Sequence, residues 1–398
     1  MPEGSRSDAR GATSDSGSVP PGAGSDRVAV QGERTSGVGR GASDNALLTI
    51  ERLTTVFDLP PGPVPAVNDV SFHVKAGETL CLVGESGSGK SVTALSIMRL
   101  VQRPGRIARG KILFKGRDLL TLDERAMQKV RGAEIGLVFQ EPMTALNPVF
   151  TIGNQIEETL AVHGIARGAA AREKAIALLD AVSMPEPARR VREYPHQLSG
   201  GLRQRALIAL ALACNPSLLI ADEPTTALDV TIQAQILDLL RDLQKRFQLA
   251  LLLITHDLGV VAEMADRVAV MYTGRLVEEA PVRELFRDPR HPYTRGLLAS
   301  IPGGAPGSRL QAIQGTVPPL GSLPPGCPFS PRCPYRFEPC DKAVPGLTVI
   351  GGERPTTDDR DRDRRHPAPD AETHASHVAR CYLYSRAVDP ETLPEESK

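Results

Sequence analysis

From Leu47 onward the chain alternates short apolar runs with longer stretches of helical spacing, and this alternation sets the expected fold. Two β-type runs come first, Leu47 to Val56 and Ala66 to Val74, joined by the proline-rich segment Leu59 to Pro65. They read as an antiparallel edge ahead of the core. Thr79 to Val83 is apolar throughout and ends in a glycine-rich turn, after which Val92 to Leu100 carries helical spacing. Further buried strands are expected at Gly136 to Gln140, Leu218 to Ala221, Ala250 to Thr255 and Val268 to Tyr272. Helices are expected from Gly200 to Ala213 and from Ile232 to Phe247. Ahead of both, Ile152 to Val182 shows helical spacing with alanine-rich charged faces, and Pro185 to Pro195 reads as a loop. Strands alternating with helices predict an α/β domain with a mostly parallel sheet. After a hairpin-like Gly274 to Glu278, proline and glycine become frequent, and a second, irregular region begins near Pro281.

With 398 residues, 41% of them hydrophobic, the chain can bury one large core and carry appendages. Lysine plus arginine equals aspartate plus glutamate at 47 each, so no whole-chain field favours nucleic acid. The apolar run Ala206 to Cys214 stops at Asn215-Pro216, well short of the roughly 20 residues a bilayer span needs. Met1 to Asp44 is rich in Gly, Ser, Ala and Arg and lacks the apolar core of a secretory signal, so a cytoplasmic chain is expected. A segment this polar cannot repay its ordering entropy, and residues 1–45 are expected to be disordered. The same reading holds for the mixed-charge run Asp358 to Arg365, a solvated loop.

Chemistry enters at Gly84-Glu85-Ser86-Gly87-Ser88-Gly89-Lys90-Ser91, which fits G-x-x-x-x-G-K-[ST] between a strand and a helix. Glycines let backbone N–H groups wrap phosphate, and the following helix adds its positive end. Lys90 would reach the β- and γ-phosphates and Ser91 the Mg²⁺. Alone, the loop specifies only a nucleotide binder. Leu218 to Glu223 is an apolar strand that delivers Asp222 and Glu223 at its C-terminal end, where ligands bind in open α/β sheets. Asp222 is expected to hold Mg²⁺ through water, and Glu223 to polarise the attacking water, which favours hydrolysis over binding.

Together with Leu198-Ser199-Gly200-Gly201-Leu202-Arg203-Gln204-Arg205, these motifs resemble the ATP-binding cassette (ABC) family, in the family's order and over about Leu47 to Glu279. The resemblance implies a P-loop NTPase fold with a RecA-like parallel core, an antiparallel β subdomain and a helical subdomain. It implies that Gln140 contacts Mg²⁺ and the water, that His256 contacts the γ-phosphate, and that Ala227-Leu228-Asp229 lies across a dimer interface. Phe57 is the candidate aromatic for stacking on adenine, against its plainer reading as a strand-end core residue. Ser199 and the Gly200 and Gly201 amides, at a helix start, would serve ATP bound by a second subunit. Family signatures usually read LSGGQ. Leu202 departs from that in its last place, a mild change that peptide-importer cassettes share.

His291 to Leu298 with Ser300-Ile301-Pro302, then Gly315 to Pro319 and Leu323 to Cys327, resemble the extension of the dipeptide/oligopeptide importer subfamily, which also includes nickel importers. The expected organisation is a 1–45 extension, an ATPase domain at 46–282 with its helical subdomain near 141–198, and a C-terminal extension at 283–398.

Cys81 and Cys214 lie in apolar runs and read as small buried hydrophobes. Cys327, Cys333, Cys340 and Cys381 lie in proline-rich, polar surroundings, and a cytoplasmic setting disfavours disulfides. Four thiolates suit either Zn²⁺ or a [4Fe-4S] cluster, and the C-x5-C-x6-C spacing fits zinc poorly. Resemblance to importer subunits with a cysteine-ligated cluster favours the [4Fe-4S] reading. The resemblance as a whole implies a bacterial importer ATPase on the cytoplasmic face of the membrane, using ATP and Mg²⁺. Its implied partners are a second, paralogous cassette, two transmembrane permease subunits and, indirectly, an extracellular solute-binding protein. The competing class, a soluble cassette acting in DNA repair or translation, would need a long coiled-coil insert or a second cassette. Gly132 to Pro195 is too short for that insert.

Overall fold

The computed structural model describes residues 46–226, 228–301, 312–350 and 377–384. The readings for residues 1–45, for Ala227 and for Asp358 to Arg365 fall outside them. Two sheets carry the fold. The larger is built from β3 (Thr79–Val83), β6 (Ile135–Val138), β7 (Leu218–Asp222), β8 (Ala250–Thr255), β9 (Arg267–Tyr272), β10 (Arg275–Pro281), β11 (Thr348–Ile350) and β12 (His377–Ala379). Its spatial order is β11-β12-β10-β9-β3-β8-β7-β6. From β9 to β6 the pairs are parallel, and β10, β12 and β11 add an antiparallel edge.

The parallel strands are apolar end to end because both faces are covered. In β3, Cys81 and Val83 pack into one core, and Leu80 and Leu82 into another on the opposite side. In β8, Leu251 and Leu253 join the first core and Leu252 and Ile254 the second. A smaller antiparallel sheet, ordered β2-β1-β4-β5, comprises β1 (Ala46–Leu59), β2 (Gly62–Lys75), β4 (Gly105–Phe114) and β5 (Arg117–Asp118).

Four local differences from the sequence reading stand out. Strands β1 and β2 run to either side of Pro60-Pro61, so the proline-rich link is mostly strand. Strand β2 lies at a sheet edge, where Pro63 and Pro65 need not donate to a ladder. Strand β4 is not announced by the sequence, because Arg106, Arg109 and Lys111 with Gly105 and Gly110 leave only the short apolar run Ile112 to Phe114. The expected single helical stretch is two helices, Ile152–Val162 and Gly168–Ala181, parted at Gly164, whose φ of 70° ends the first. Pro185 to Pro195 also contains a short helix, Pro187–Arg190.

Instead of standing apart, the C-terminal region continues the main sheet. Strand β12 pairs with β10, Glu278 opposite Ala379, and β11 pairs with β12. The fully buried Glu278 accepts hydrogen bonds from the Arg290 and His291 N–H groups at 2.7 and 2.8 Å, and its Oε1 lies 2.7 Å from His377 Nε2. These contacts hold its carboxyl below the usual range against burial, which acts the other way. Strands of three residues leave little pattern to read in a sequence.

Candidate nucleotide site and cysteine cavity

The 84–91 loop leaves the C-terminal end of β3 and opens the helix Lys90–Ile97. Lys90 Nζ folds back over it, donating to the Gly84 and Glu85 carbonyls at 2.8 and 3.0 Å. Burial lowers the Lys90 pKa, opposed by the carboxylates of Glu223, Asp222 and Glu85. At the end of β7, Asp222 Oδ1 accepts a 3.1 Å hydrogen bond from Ser91 Oγ. Burial raises the Asp222 pKa, with Ser91 working against it. Carboxylate, hydroxyl and ammonium thus converge beneath the loop.

Glu223 follows in the left-handed region, φ 47°, with its N–H tied to the Ile254 carbonyl at 2.9 Å. Such backbone is sparsely populated by side-chain-bearing residues and needs surrounding support. Here three side chains surround the carboxylate. Gln140 Nε2 and Thr226 Oγ1 donate to Oε2 at 3.1 and 2.8 Å, and His256 Nδ1 lies 3.2 Å from Oε1. The structure therefore brings Gln140, Glu223 and His256, all expected from sequence, into one cluster, to which Thr226 is an addition. His256, with 58% of its side chain exposed, faces open space.

A cavity of about 1080 Å³ extends from this cluster along the 86–91 loop. Phe57, the β1–β2 turn and, from the C-terminal region, Leu320, Gly321 and Leu323 line its far end. Phe57 is half-buried and opposite Gly105 in the β1–β4 ladder. Ser199 and Gly200 are exposed at the start of the helix Gly200–Ala211 and line neither this cavity nor the smaller one beside His256. The Ser199 side chain makes no capping bond to its own helix. Within one subunit, the 199–201 stretch and the phosphate loop are not brought together.

Two residues with no role in the sequence reading reach the loop from the C-terminal region. Tyr293 Oη accepts the Glu85 N–H at 2.8 Å, and Arg332 forms a two-pronged ion pair with the Glu85 carboxylate, Nη1–Oε2 2.7 Å and Nη2–Oε1 3.0 Å. The His291-Pro292-Tyr293 sequence marked the region but not this contact.

Cys327, Cys333, Cys340 and Cys381 line one small cavity with Phe329 and Phe337. The Cys327 N–H donates to the Cys340 carbonyl at 2.7 Å. Burial pushes Cys327 up to about 11 and Cys333 and Cys381 to about 12, and the neighbouring thiols add to the shift in each. Among the described residues, no three His, Cys, Asp or Glu side chains form a group that could hold a single metal ion. All six cysteines are free thiols; Cys81 is fully buried, as read from the sequence, and Cys214 only partly.

A phosphate loop, a strand-end carboxylate pair and a parallel sheet define a P-loop nucleotide hydrolase. The ABC transporter family description matches residues 67–226, and that of the oligopeptide/dipeptide transporter C-terminal region matches residues 277–340. The chain is 54% identical over 305 residues to the oligopeptide transport ATP-binding protein AppD of Bacillus subtilis (strain 168), covering 76% of this chain and 93% of that one. It is 50% identical over 310 residues to the dipeptide transport ATP-binding protein DppD of Haemophilus influenzae, covering 78% and 94%. Among solved structures, a dimeric bacterial ABC transporter cassette superposes with a TM-score of 0.53 at 30% identity, covering 59% of this chain and 99% of the other. The same cassette in a post-hydrolysis state bound to ADP and Pi gives the same values. The chain belongs to the ABC ATPase family, in its oligopeptide/dipeptide transporter branch, and is an ATP-hydrolysing cassette. Among the described residues no helix is long and apolar enough to cross a membrane.

Proposed function

We propose that this chain is the ATPase subunit of a bacterial importer of dipeptides or oligopeptides, bound at the cytoplasmic face of the membrane to two permease subunits. The observation that carries it is the joint match of cassette and peptide-transporter extension to relatives named for peptide transport. Nickel import by the same machinery is the alternative the subfamily leaves open. Affinity purification of the tagged chain from its native membrane fraction is expected to recover two integral permease subunits. Recovery without any membrane subunit would refute the importer reading.

In this reading the 84–91 loop wraps the ATP phosphates, with Phe57 against the adenine. Ser91, Gln140 and Asp222 would hold Mg²⁺, which would supply positive charge against the phosphates; the 3.1 Å Ser91–Asp222 contact beneath the loop suits that donor set. Glu223 orients and deprotonates the attacking water, and His256 steadies it against the γ-phosphate. Ser199, Gly200 and Gly201, at a helix start and uncommitted to their own loop, supply the second half of the site on a facing, paralogous cassette. The dimeric state of the superposed cassette supports that arrangement.

The four cysteines are assigned to a [4Fe-4S] cluster. Such a cluster is held by four cysteine thiolates, which Cys327, Cys333, Cys340 and Cys381 would supply. What supports the reading is that all four cysteines line one cavity, a complete thiolate set, at a C-x5-C-x6-C spacing that suits zinc poorly. Protein purified without oxygen is expected to absorb near 400 nm, to contain about four irons and four sulfides, in keeping with a four-cysteine cluster, and to lose both on Cys340→Ser. A colourless protein with stoichiometric zinc would overturn the assignment.

A further inference from the structure

The phosphate loop contains a carboxylate, Glu85, where a polyanion is to bind. Two cations reach it: Lys90 through its backbone carbonyl and Arg332 through its carboxylate. Lys90 is committed to the loop carbonyls and serves the ligand, whereas Arg332 is committed to Glu85. Arg332 lies in the 3₁₀ turn Ser330–Arg332 of the C-terminal region, directly before Cys333. Its side chain is 4% exposed, against 29% for Glu85. Nε donates to the Gln314 carbonyl at 3.1 Å, and the guanidinium rests on the rings of Tyr272 and Phe329, at 5.9 and 6.0 Å. Tyr272 in turn packs on Tyr293, ring centroids 4.6 Å apart, and Tyr293 Oη takes the Glu85 N–H. The guanidinium is thus fixed on three sides before it meets the carboxylate.

We propose that Arg332 is a positioning residue for ATP binding: it neutralises and orients Glu85, so that the C-terminal region of the chain completes the phosphate loop of its own subunit. A two-pronged guanidinium–carboxylate pair has a defined plane, which fixes the loop's second residue as well as cancelling its charge. Without Arg332, Glu85 is left as an uncompensated negative charge beside the phosphates, in surroundings less screened than bulk water. The role concerns binding and leaves the chemical step alone, because Arg332 touches none of Gln140, Asp222, Glu223 or His256. The proposal rests on the assignment of 84–91 as the ATP phosphate loop, which a Lys90→Ala control tests separately.

A double-mutant cycle on the full-length chain tests it, read by equilibrium binding of a fluorescent ATP analogue and by steady-state hydrolysis. Arg332→Ala is expected to weaken nucleotide binding about tenfold and to raise KM, with kcat within about twofold. In a Glu85→Gln background, which has no carboxylate to neutralise, removing Arg332 is expected to cost less than about twofold. Arg332→Lys, which keeps the charge but loses the paired geometry, should fall between the parent and Arg332→Ala. Equal losses on removing Arg332 from the parent and from the Glu85→Gln variant, or unchanged affinity in Arg332→Ala, would overturn the proposal. Should Arg332→Ala fail to fold, Arg332→Lys decides alone: unchanged affinity and KM would sink the idea. If Lys90→Ala binds as the parent does, the loop assignment fails instead.

Discussion

Glu223→Gln is expected to bind ATP as the parent does and to lose turnover by about 10²- to 10⁴-fold, the usual contribution of a positioned general base. The amide keeps the size of the carboxylate, and its oxygen can still accept from Gln140 and Thr226 as the Oε2 atom does now. Its NH2 group can face His256 Nδ1, now 3.2 Å from Oε1. The backbone at φ 47° is held by the Ile254 carbonyl irrespective of side chain. What the amide cannot do is take a proton from water. ATP should therefore persist at the site, and with the partner cassette present the closed dimer should accumulate, visible by size-exclusion chromatography with ATP. Hydrolysis within about tenfold of the parent would remove Glu223 as the base, since less than one factor of ten is about 1.4 kcal/mol of barrier.

How much of this site could be read beforehand follows from where its parts sit in the chain. The phosphate loop, Asp222, Glu223 and His256 each end or follow a mostly apolar strand of five or six residues, buried on both faces of the sheet, so strand and ligand-bearing residue are adjacent in sequence. Gln140 follows β6 in the same way. Arg332 and Tyr293 obey no such rule. They lie 247 and 208 residues from Glu85, and their contacts depend on the C-terminal region folding back over the loop. The three-residue strands β11 and β12, and the buried Glu278 with its His377 partner, join that region to the main sheet, and none of them produces a period. Strand β4 escapes a sequence reading for a related reason: its charged residues break the alternation that a half-buried strand would otherwise show. The four cysteines are legible as a set, but only the fold puts Cys381 in the same cavity as the other three.

The second large effect is steric and lies in the loop itself. Gly89 has φ 98°, and a methyl group built on it would lie 2.4 Å from the Ala66 carbonyl oxygen on β2 and 3.3 Å from the Gly274 Cα. Both obstacles are backbone, so neither can swing aside. The β2 segment is itself fixed to the main sheet's hairpin, since the Asn68 N–H donates to the Gly274 carbonyl at 2.7 Å and the Gly274 N–H to the Ser88 carbonyl at 2.9 Å. Gly89→Ala must therefore push the loop away from the strand that backs it, at the residue immediately before Lys90. Its expected outcome is loss of measurable ATP binding together with a lowered unfolding free energy. Gly77→Ala separates the two contributions. Gly77 has φ 71° in the β2–β3 turn with nothing within 4 Å of the added methyl, so it carries the left-handed backbone cost alone, about 1–2 kcal/mol. Denaturant unfolding should show Gly89→Ala destabilised by more than Gly77→Ala, and only Gly77→Ala should retain ATP binding at the parent affinity. If the two variants lose the same stability and both bind ATP, the backing of the phosphate loop by Ala66 is not what shapes the site.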